Sequence, residues 1–486
     1  MATRRRFLQD TLATVSGGVL ASTALAVPST TAGADRLRLG FIGLGTRSKE
    51  LLPEFAKLKN ASIVALCDVD TAVLGKQGEE FERRFGVRPE RIADFRDLLD
   101  RQDIDAVVIA VPNHWHALMT IYACQAGKHV YVEKPVCHDV WEGRQMIRAA
   151  QKYGRIVAAG FQNRSDTGLQ EAFQWLHDGN LGDVKQARGL CYRGRGAIGR
   201  RESPLSPPAT VDYSLWLGPA EDLPIMRPNF HYDWHWIWNT GNGDMGNQGP
   251  HEMDLIRWAL GNPTHPEKVS SFGGRFDWDD AGETPNMQVA CFTFADRRRA
   301  VFEVRNLSGR ADKNLGAYKH GPGVGVIVTC EGGEFRGGRG GGSVFDDKGG
   351  KIRSFPGDGG ATHYANFVDS VLAGDASRLR APLESSFVSS AMSHVANISW
   401  RTGNALSPDE SAAALADDEL ASEVYDRFCK QLVALGVDLA TTPYQVGPAL
   451  AFDSTDERFT FGLNRDAANA LLRREGRAAF VIPDAV

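Results

Sequence analysis

The residue in this sequence that is best suited to catalysis is Lys134, in the run Glu133-Lys134-Pro135. A lysine is expensive to bury, and the proline that follows it rigidifies the turn that aims its side chain. The motif comes directly after a short apolar run, so the ammonium could stabilise negative charge on a substrate oxygen. A surface lysine at a turn is the alternative for this motif taken alone.

A histidine suited to act as a general base lies in Asn247-Gln248-Gly249-Pro250-His251. Proline fits the first turn of a helix, so we expect His251 at the N-terminal end of one. The positive end of the helix dipole favours the neutral imidazole that a general base requires. Asp254, three residues later, is expected on the same face, where it would orient the ring. A packed or capping histidine is the alternative.

A glycine turn near the start of the chain has the spacing of a dinucleotide-binding loop. Gly43-Leu44-Gly45-Thr46-Arg47-Ser48 follows a predicted strand and precedes a predicted helix, with Ser48 at the third glycine position. The glycines Gly43 and Gly45, with Thr46, would let the backbone approach a pyrophosphate. Asp68, after the next strand, can accept both ribose hydroxyls, which favours NAD. Arg47 could pair with a 2′-phosphate, so NADP remains possible.

Two further motifs are predicted at the carboxyl ends of strands, where open α/β sheets bind ligands. Pro112, Asn113 and His116 follow one strand, and Glu133 and Lys134 follow the next. With Asn163, which comes after a later strand, they complete the predicted cofactor contacts. Arg164 is also expected to face the cleft.

His231 and His235 have the i,i+4 spacing of zinc ligands on a helix. The surrounding segment is rich in tryptophan and is expected to be irregular, which favours an aromatic wall of a sugar-binding cleft or a packed aromatic cluster. We therefore predict no metal site.

The elements that must position these residues change in character near residue 160. Residues 36–160 alternate apolar runs with amphipathic segments, which predicts a doubly wound parallel sheet. The predicted strands are Leu37–Ile42, Ser62–Leu66, Ala106–Val111, His129–Val132 and Ile156–Phe161, and the clearest helices are Ser48–Lys59 and Trp115–Ala126.

Residues 161–400 carry strand-like runs between glycine clusters, which predicts an α+β domain with one large open, mainly antiparallel sheet. An uncovered face of that sheet would leave an apolar patch, so we expect a homo-oligomer. Residues 401–486 are interpreted as a C-terminal extension packed on this domain. The Arg336-Gly-Gly-Arg339-Gly-Gly-Gly run resembles a nucleic-acid-binding segment, but turns between strands are the better interpretation.

The first 34 residues have the features of an export signal. Two arginines, a spacer and Phe7-Leu8 precede a mildly apolar stretch that ends at Ala32-Gly33-Ala34. This pattern predicts a twin-arginine signal, an exported or periplasmic protein, and the twin-arginine machinery as a partner. A general secretory signal is the alternative.

The composition is that of a soluble globular enzyme. Among its 486 residues the hydrophobic fraction is 42% and the net charge is −5, which gives no reason to expect nucleic acid or an anionic membrane as a partner. The seven cysteines contain no C-x-x-C pair, so buried free thiols are expected rather than disulfides.

Taken together, these motifs resemble the glucose–fructose oxidoreductase/inositol dehydrogenase (Gfo/Idh/MocA) family across roughly residues 36–400. Glu133-Lys134-Pro135 carries most of the resemblance, and Trp216-Leu217-Gly218-Pro219 and Gly243-Asp244 extend it. The family's second signature has the form Asp-x-Gly-x-His. Asn247 occupies its first position here, so only Lys134 and His251 carry over, and the site is expected to have diverged at Asn247.

The resemblance implies a nicotinamide-dependent oxidoreductase that acts on a secondary hydroxyl group of a sugar or polyol. In that reaction His251 takes the hydroxyl proton and Lys134 stabilises the alkoxide. Some relatives oxidise a glycoside at C3 only transiently and act as glycosidases, which is a second hypothesis. A non-catalytic sugar-binding protein that retains its cofactor is a third.

Overall fold

A computed structural model of the protein describes residues 35–307, 321–442, 444–484 and 486. The predicted signal, residues 1–34, lies outside the described residues. The first domain contains a six-stranded parallel sheet. The strand order is β3-β2-β1-β4-β5-β6. Successive strands are added on one side of β1 up to β3 and on its other side from β4 onward, and this switch between β1 and β4 creates the crevice where such sheets bind ligands. In chain order the strands are β1 (Leu37–Ile42), β2 (Ala61–Cys67), β3 (Glu90–Ile92), β4 (Ala106–Ile109), β5 (His129–Val132) and β6 (Val157–Ala159).

Helices cover both faces of this sheet, as the alternation of patterns predicts. Asp70 and Asp139 cap two of them by accepting backbone N–H groups, and Gly86 ends the first of these two in a left-handed conformation with φ of 67°. The helices are α1 (Ser48–Ala56), α2 (Thr71–Phe85), α3 (Phe95–Leu99), α4 (Asn113–Gln125) and α5 (Val140–Lys152).

The second sheet is larger and mixed. Its order is β14-β13-β12-β11-β7-β10-β9-β8-β16-β15, with β17 paired to β8 and β18 to β17. The strands are β7 (Val184–Cys191), β8 (Lys268–Gly274), β9 (Met287–Thr293), β10 (Arg299–Arg305), β11 (Val324–Cys330), β12 (Gly333–Gly338), β13 (Gly341–Phe345), β14 (Lys351–Pro356), β15 (Asn404–Leu406), β16 (Tyr444–Val446), β17 (Leu450–Asp453) and β18 (Arg458–Phe461).

A simple antiparallel meander does not describe this sheet, because β7 lies at its centre and runs parallel to β10. The strand β7 was missed because its sequence shows no clean alternation of apolar and polar residues. The Arg336–Gly342 run forms the hairpin between β12 and β13, as the turn interpretation predicts.

Three helices of the second half, Thr167–His177, Gly249–Ala259 and Leu383–Arg401, pack one face of this sheet against the first domain. All helices of this half are labelled in chain order. They are α6 (Thr167–His177), α7 (Tyr213–Leu217), α8 (Gly243–Asn247), α9 (Gly249–Ala259), α10 (His363–Leu372), α11 (Leu383–Arg401), α12 (Pro408–Leu415), α13 (Glu419–Ala434) and α14 (Arg465–Ala470). The aromatic side chains of α10 pack with Phe55 and Tyr131, so this late helix belongs to the core of the first sheet. Strands of both sheets contribute to a separate, larger hydrophobic cluster.

The C-terminal segment corrects the expectation of an uncovered sheet face. Helix α13 places Val424, Phe428 and Leu432 against Phe272 and Val289, over β8, β9 and β10. Strands β15 to β18 extend the same sheet at its β8 edge. The apolar patch that suggested a homo-oligomer is therefore filled by this chain itself over those strands.

A buried ionic cluster lies beneath α13. Glu303 of β10 is fully buried and forms ion pairs with Arg188, Arg305 and Arg427. Burial acts to raise the pKa of Glu303, but the three guanidinium groups outweigh it and hold the pKa well below its usual range. Because removing one partner of a buried pair leaves an uncompensated charge, this cluster fixes how α13 lies on the sheet.

All seven cysteines are free thiols, six of them buried and Cys429 half-buried, which confirms the expectation from their spacing. Within the described ranges no helix is long and apolar enough to cross a membrane.

Candidate active site

A cavity of about 790 Å³ lies where the carboxyl ends of β1, β2, β4 and β5 meet α8, α9 and the segment that follows β7. This volume falls in the ~300–1,000 Å³ range of small-molecule sites. Every residue predicted to bind the cofactor lines it: Gly43, Gly45, Thr46, Arg47, Asp68, Pro112, Asn113, His116, Glu133, Lys134 and Asn163.

The glycine turn has the geometry that a pyrophosphate site requires. Gly43 has φ of +86°, and a Cβ there would lie 2.6 Å from the backbone oxygen of Ala110, so only glycine fits. A Cβ at Gly45 would meet no atom within 4 Å, which leaves open space over the start of α1. Ser48 replaces the usual third small residue, and its hydroxyl donates to the carbonyl of Gly43. These features fit a dinucleotide phosphate group.

Asp68 is fixed by two backbone donors. Leu44 N donates to Oδ2 across 2.7 Å and Asp70 N to Oδ1 across 2.9 Å. Burial raises the pKa of Asp68, although these two hydrogen bonds oppose the rise. The remaining acceptor positions of this carboxylate are available for ribose hydroxyls at the cavity wall.

Arg47 is engaged with acidic side chains of its own domain. Its guanidinium contacts Glu133 at 3.0 Å and also pairs with Glu50. Burial acts to lower the pKa of Arg47, but Glu133 together with Glu50 and two tyrosines outweighs it and raises that pKa above its usual value. The charges that act most strongly on Asp68 are instead Asp70 and His231, so Arg47 is held at a different part of the cavity.

The first strand-end motif is held by backbone carbonyls. The His116 ring contacts the backbone oxygens of Val111, at 2.9 Å, and Pro135. Asn113 donates to Asn242 across 3.0 Å, which ties the start of α4 to the segment before α8. Asn163 lies in the short 3₁₀ turn after β6.

Lys134 reaches from the end of β5 to the second half of the chain. Its Nζ donates to the backbone oxygen of Asn247 across 2.6 Å and lies 3.4 Å from the Asn247 side-chain oxygen. Burial lowers the pKa of Lys134, and the neighbouring carboxylate of Glu133 opposes that change. The predicted catalytic lysine and Asn247 are thus in direct contact.

Asn247 is itself held by Asp244, a carboxylate that the sequence interpretation did not assign to the site. The amide of Asn247 donates to Asp244 Oδ1 across 3.1 Å. Arg195 binds Asp244 in a bidentate ion pair, with Nη2 2.8 Å from Oδ1, and Asn306 donates to its other oxygen. The position of Asp244, three residues before Asn247 in one helix, was the available signal.

His251 lies in the first turn of α9 and lines the cavity, as predicted. Burial, followed by the charge of Lys134, lowers the pKa of His251 well below its usual value, so the imidazole is neutral. Its Nδ1 is buried without a hydrogen-bond partner in the part of the chain that the structure describes. The ring packs edge-on against Phe161.

The prediction that Asp254 orients the His251 ring is wrong. Arg164 binds Asp254 through two hydrogen bonds of 2.6 and 2.8 Å, and Ser389 of α11 donates to it across 2.8 Å. Three residues along a helix also rotate the side chain by about 60° from His251, which directs it toward α11. Arg164 stacks over Trp258 and is therefore committed to this pair rather than to the cleft.

His231 and His235 serve different parts of the cavity wall. His231 contacts Asp70 at 3.1 Å, whereas His235 bonds the backbone oxygen of Tyr232 and stacks on Trp234 with ring centroids 3.6 Å apart. The segment Asp233–Trp236 is a 3₁₀ turn rather than an α-helix. No group of three metal-ligating side chains occurs within the described residues.

A segment of the second half covers the end of the cavity at Asp68, where the adenosine of a dinucleotide would lie. Thr71 N donates to the oxygen of Thr210, and Asp212 N to that of Val69, each across 2.9 Å. Trp216 and His231 line the cavity beyond this contact. A nucleotide seated on Asp68 would therefore be enclosed by residues of both sheets' domains.

The C-terminal segment supports that cover. Arg474 bonds the backbone oxygen of His114 across 2.6 Å and pairs with Glu142. Phe480 packs edge-on against Trp115, which lines the cavity. Residues 401–486 thus contact the first domain as well as the second.

Two family models match the chain. One, described as an oxidoreductase family with an NAD-binding Rossmann fold, matches residues 37–161, and the other, the GFO/IDH/MocA C-terminal domain, matches residues 222–335. Among curated relatives, a glycosyl hydrolase family 109 protein of Shewanella baltica is 33% identical over 169 residues. That match spans 31% of this chain and 37% of the relative.

Solved structures share the fold. The WlbA dehydrogenase of Bordetella pertussis, in complex with NADH and UDP-GlcNAcA, aligns with a TM-score of 0.53 at 21% identity, over 74% of this chain and 94% of that one. The scyllo-inositol dehydrogenase of Lactobacillus casei, with bound NAD(H) and scyllo-inositol, aligns with a TM-score of 0.52 at 21% identity, over 74% of this chain and 95% of that one. The aldose–aldose oxidoreductase of Caulobacter crescentus aligns with a TM-score of 0.53 at 19% identity, over 73% of this chain and 94% of that one.

Proposed function

We propose that this chain, whose two halves match Gfo/Idh/MocA family models, is an oxidoreductase of that family that oxidises a secondary hydroxyl group of a sugar or polyol with NAD, or catalyses the reverse reduction. The observation that carries the proposal is the meeting of Lys134 and His251 at one cavity. The two residues come from different domains, and Asn247 joins them. It binds Lys134 and precedes His251 by one helical turn.

The chain's own groups divide the work at the substrate hydroxyl. His251, kept neutral by burial and by Lys134, accepts the hydroxyl proton. The Lys134 ammonium stabilises the negative charge that develops on that oxygen. Asn247 and Asp244 position Lys134 through the hydrogen bonds described above. When bound, the nicotinamide ring supplies the hydride acceptor or donor at C4.

The direct test measures reduced-nicotinamide absorbance with purified protein and a panel of sugars, polyols and sugar acids. We expect an absorbance change with at least one compound, and loss of that change in His251→Ala. Mass spectrometry of the small molecules released on denaturation identifies the bound nucleotide independently. Sugar binding without any absorbance change across the panel would instead favour a non-catalytic sugar-binding protein.

A second candidate is an NAD-dependent glycosidase, favoured by the enclosure of the adenosine end. An enclosed cofactor suits a cycle in which the substrate is oxidised at C3, loses its aglycone by elimination, adds water and is reduced again, with no net redox change. The match to glycosyl hydrolase family 109 relatives agrees with this candidate. Glycoside hydrolysis without added NAD, with deuterium from solvent incorporated at C2, would support it. Hydrolysis without such exchange would oppose it.

We also propose export of the folded protein through the twin-arginine machinery, which would make the mature protein periplasmic or otherwise exported. The support is the sequence of residues 1–34 alone. Replacing both Arg4 and Arg5 with lysine should retain the precursor inside the cell, and normal export of that variant would refute the assignment. Homo-oligomer formation stays a prediction, and sedimentation of the mature protein would test it.

A further inference from the structure

Two arginines at the cavity wall have no acidic partner in the part of the chain that the structure describes. Arg193 follows β7, and Arg339 occupies the turn between β12 and β13. The other two guanidinium groups at this cavity are neutralised, Arg47 by Glu133 and Arg195 by Asp244. Arg339 makes one hydrogen bond, from Nε to the backbone oxygen of Gly359.

The sheet brings Arg193 and Arg339 to the same edge. Strand β11 lies between β7 and β12, with Val324 opposite Cys191 and Val326 opposite Gly337. Neighbouring strands are about 4.8 Å apart, so the two arginines leave this edge with backbones on the order of 10 Å apart. Val324, between them, also lines the cavity.

Glu252, an acidic side chain that shares the cavity with Arg193, does not neutralise it. Burial raises the pKa of Glu252 to about 8, even though Lys134 and Arg193 act to lower it. Glu252 is therefore mostly protonated at neutral pH, and its carboxyl accepts a hydrogen bond from Gln248. The charge of Arg339 reaches His251, whose pKa it lowers together with burial and Lys134. Arg193 and Arg339 thus flank the start of α9.

We propose that the substrate is an anionic sugar whose carboxylate or phosphate group binds Arg193 and Arg339, while a ring hydroxyl faces Lys134 and His251. The inference rests on the proposed function and adds the class of substrate. Guanidinium groups present N–H donors in a fixed geometry that matches both kinds of oxyanion. Both arginines are exposed, and a neutral sugar would offer them no negative charge.

The test compares binding of D-glucuronate, D-galacturonate, D-gluconate and glucose 6-phosphate with that of D-glucose, D-galactose and myo-inositol. Isothermal titration calorimetry on the NADH-loaded protein measures affinity whether or not turnover occurs. We expect at least one anion to bind about tenfold or more tightly than its neutral counterpart, since charge-assisted hydrogen bonds are stronger than neutral ones. Tighter binding of a sugar acid than of glucose 6-phosphate identifies carboxylate as the group, and the reverse order identifies phosphate.

Single variants assign the effect to the two arginines. Arg193→Gln and Arg339→Gln should each weaken anion binding about tenfold and leave glucose binding unchanged. Arg201→Gln is the control for Arg193→Gln, because Arg201 also follows β7 but does not line the cavity. Arg336→Gln is the control on the β12–β13 hairpin, because Arg336 is paired with Glu334 and stacked on Phe345. Anion affinity should also fall with added salt, because both arginines are exposed.

Three results would overturn the proposal: no anion binding more tightly than its neutral counterpart, equal losses for anions and glucose in the variants, or a matching loss of NADH affinity in Arg339→Gln. The last result would assign Arg339 to the cofactor's phosphates. Failure of the proposed function gives a different result. Anion binding would then persist, but no compound would change the nicotinamide absorbance.

Discussion

Lys134 Nζ donates a hydrogen bond to the backbone oxygen of Asn247 across 2.6 Å and so connects the end of β5 to the end of α8. His251 follows in the first turn of α9 and lines the same cavity. Because Asn247 is also held by Asp244, the lysine is fixed from both domains.

Removing either proposed catalytic group should lower turnover strongly. A positioned acid–base group contributes ~10²–10⁴-fold to rate, so Lys134→Ala and His251→Ala should each lower kcat by that order. NAD affinity, measured by calorimetry, should change little. Lys57→Ala and His177→Ala are matched controls. Variants of Lys134 and His251 that retain near-normal kcat would refute the mechanism.

The pH dependence should report the depressed pKa of Lys134. Burial lowers this pKa, so the ammonium loses its proton at a lower pH than a free lysine does. Activity, measured as kcat/KM, should therefore fall as the pH rises through that value. Lys134→Arg keeps the charge at all accessible pH values and should lose this alkaline limb. Persistence of the limb in Lys134→Arg would assign it to another group.

Restoring a carboxylate at position 247 should act on Lys134. In Asn247→Asp the new charge lies about 3.4 Å from Nζ, which favours the ammonium and raises the pKa of Lys134. The alkaline limb should move to higher pH. The variant also loses the donor to Asp244 and gains charge repulsion, so kcat should fall. Asn247→Ala, which removes the donor without adding charge, separates the two effects, and an unmoved limb in Asn247→Asp would contradict the assignment.

Cofactor preference should depend on Asp68. Its carboxylate is fixed at the cavity wall and would repel a 2′-phosphate, whereas Arg47 is paired with Glu133 and Glu50. The wild-type protein should bind NAD more tightly than NADP, and Asp68→Asn should reduce the ratio of the two affinities. Asp100→Asn serves as the control, and binding constants for both nucleotides provide the measurement. Tighter NADP binding by the wild type would mean that Arg47 dominates.

The stability of the second domain should depend on α13. Phe428 is fully buried against Phe272 and Phe276, so Phe428→Ala should cost ~3–5 kcal/mol of the free energy of unfolding. Val433 lies on the same helix with 60% of its surface exposed, and Val433→Ala should change stability little. Urea unfolding measures both. Equal losses in the two variants would mean that α13 does not rest on the sheet.

Local sequence patterns determined the first domain and most of the site. The glycine turn, the strand-end motifs and Pro250 each act within a few residues, and parallel strands bring their carboxyl ends to one edge whatever the rest of the chain does. Strands Leu37–Ile42 and His129–Val132 were therefore predicted with the bounds that the structure has. Lys134, His251 and Asp68 could be identified for the same reason.

Only the tertiary structure decided the partners of those residues. Asp254 binds Arg164 of the turn after β6 and Ser389 of α11, both far from it in the sequence, and helical spacing alone could not reveal these competing partners. Arg193 and Arg339 lie at the same end of the sheet because β7 inserts beside β11, a pairing between distant segments that no local pattern encodes. The cover that α13 forms over the second sheet has the same origin, since burial of an apolar face is satisfied by whichever element packs there.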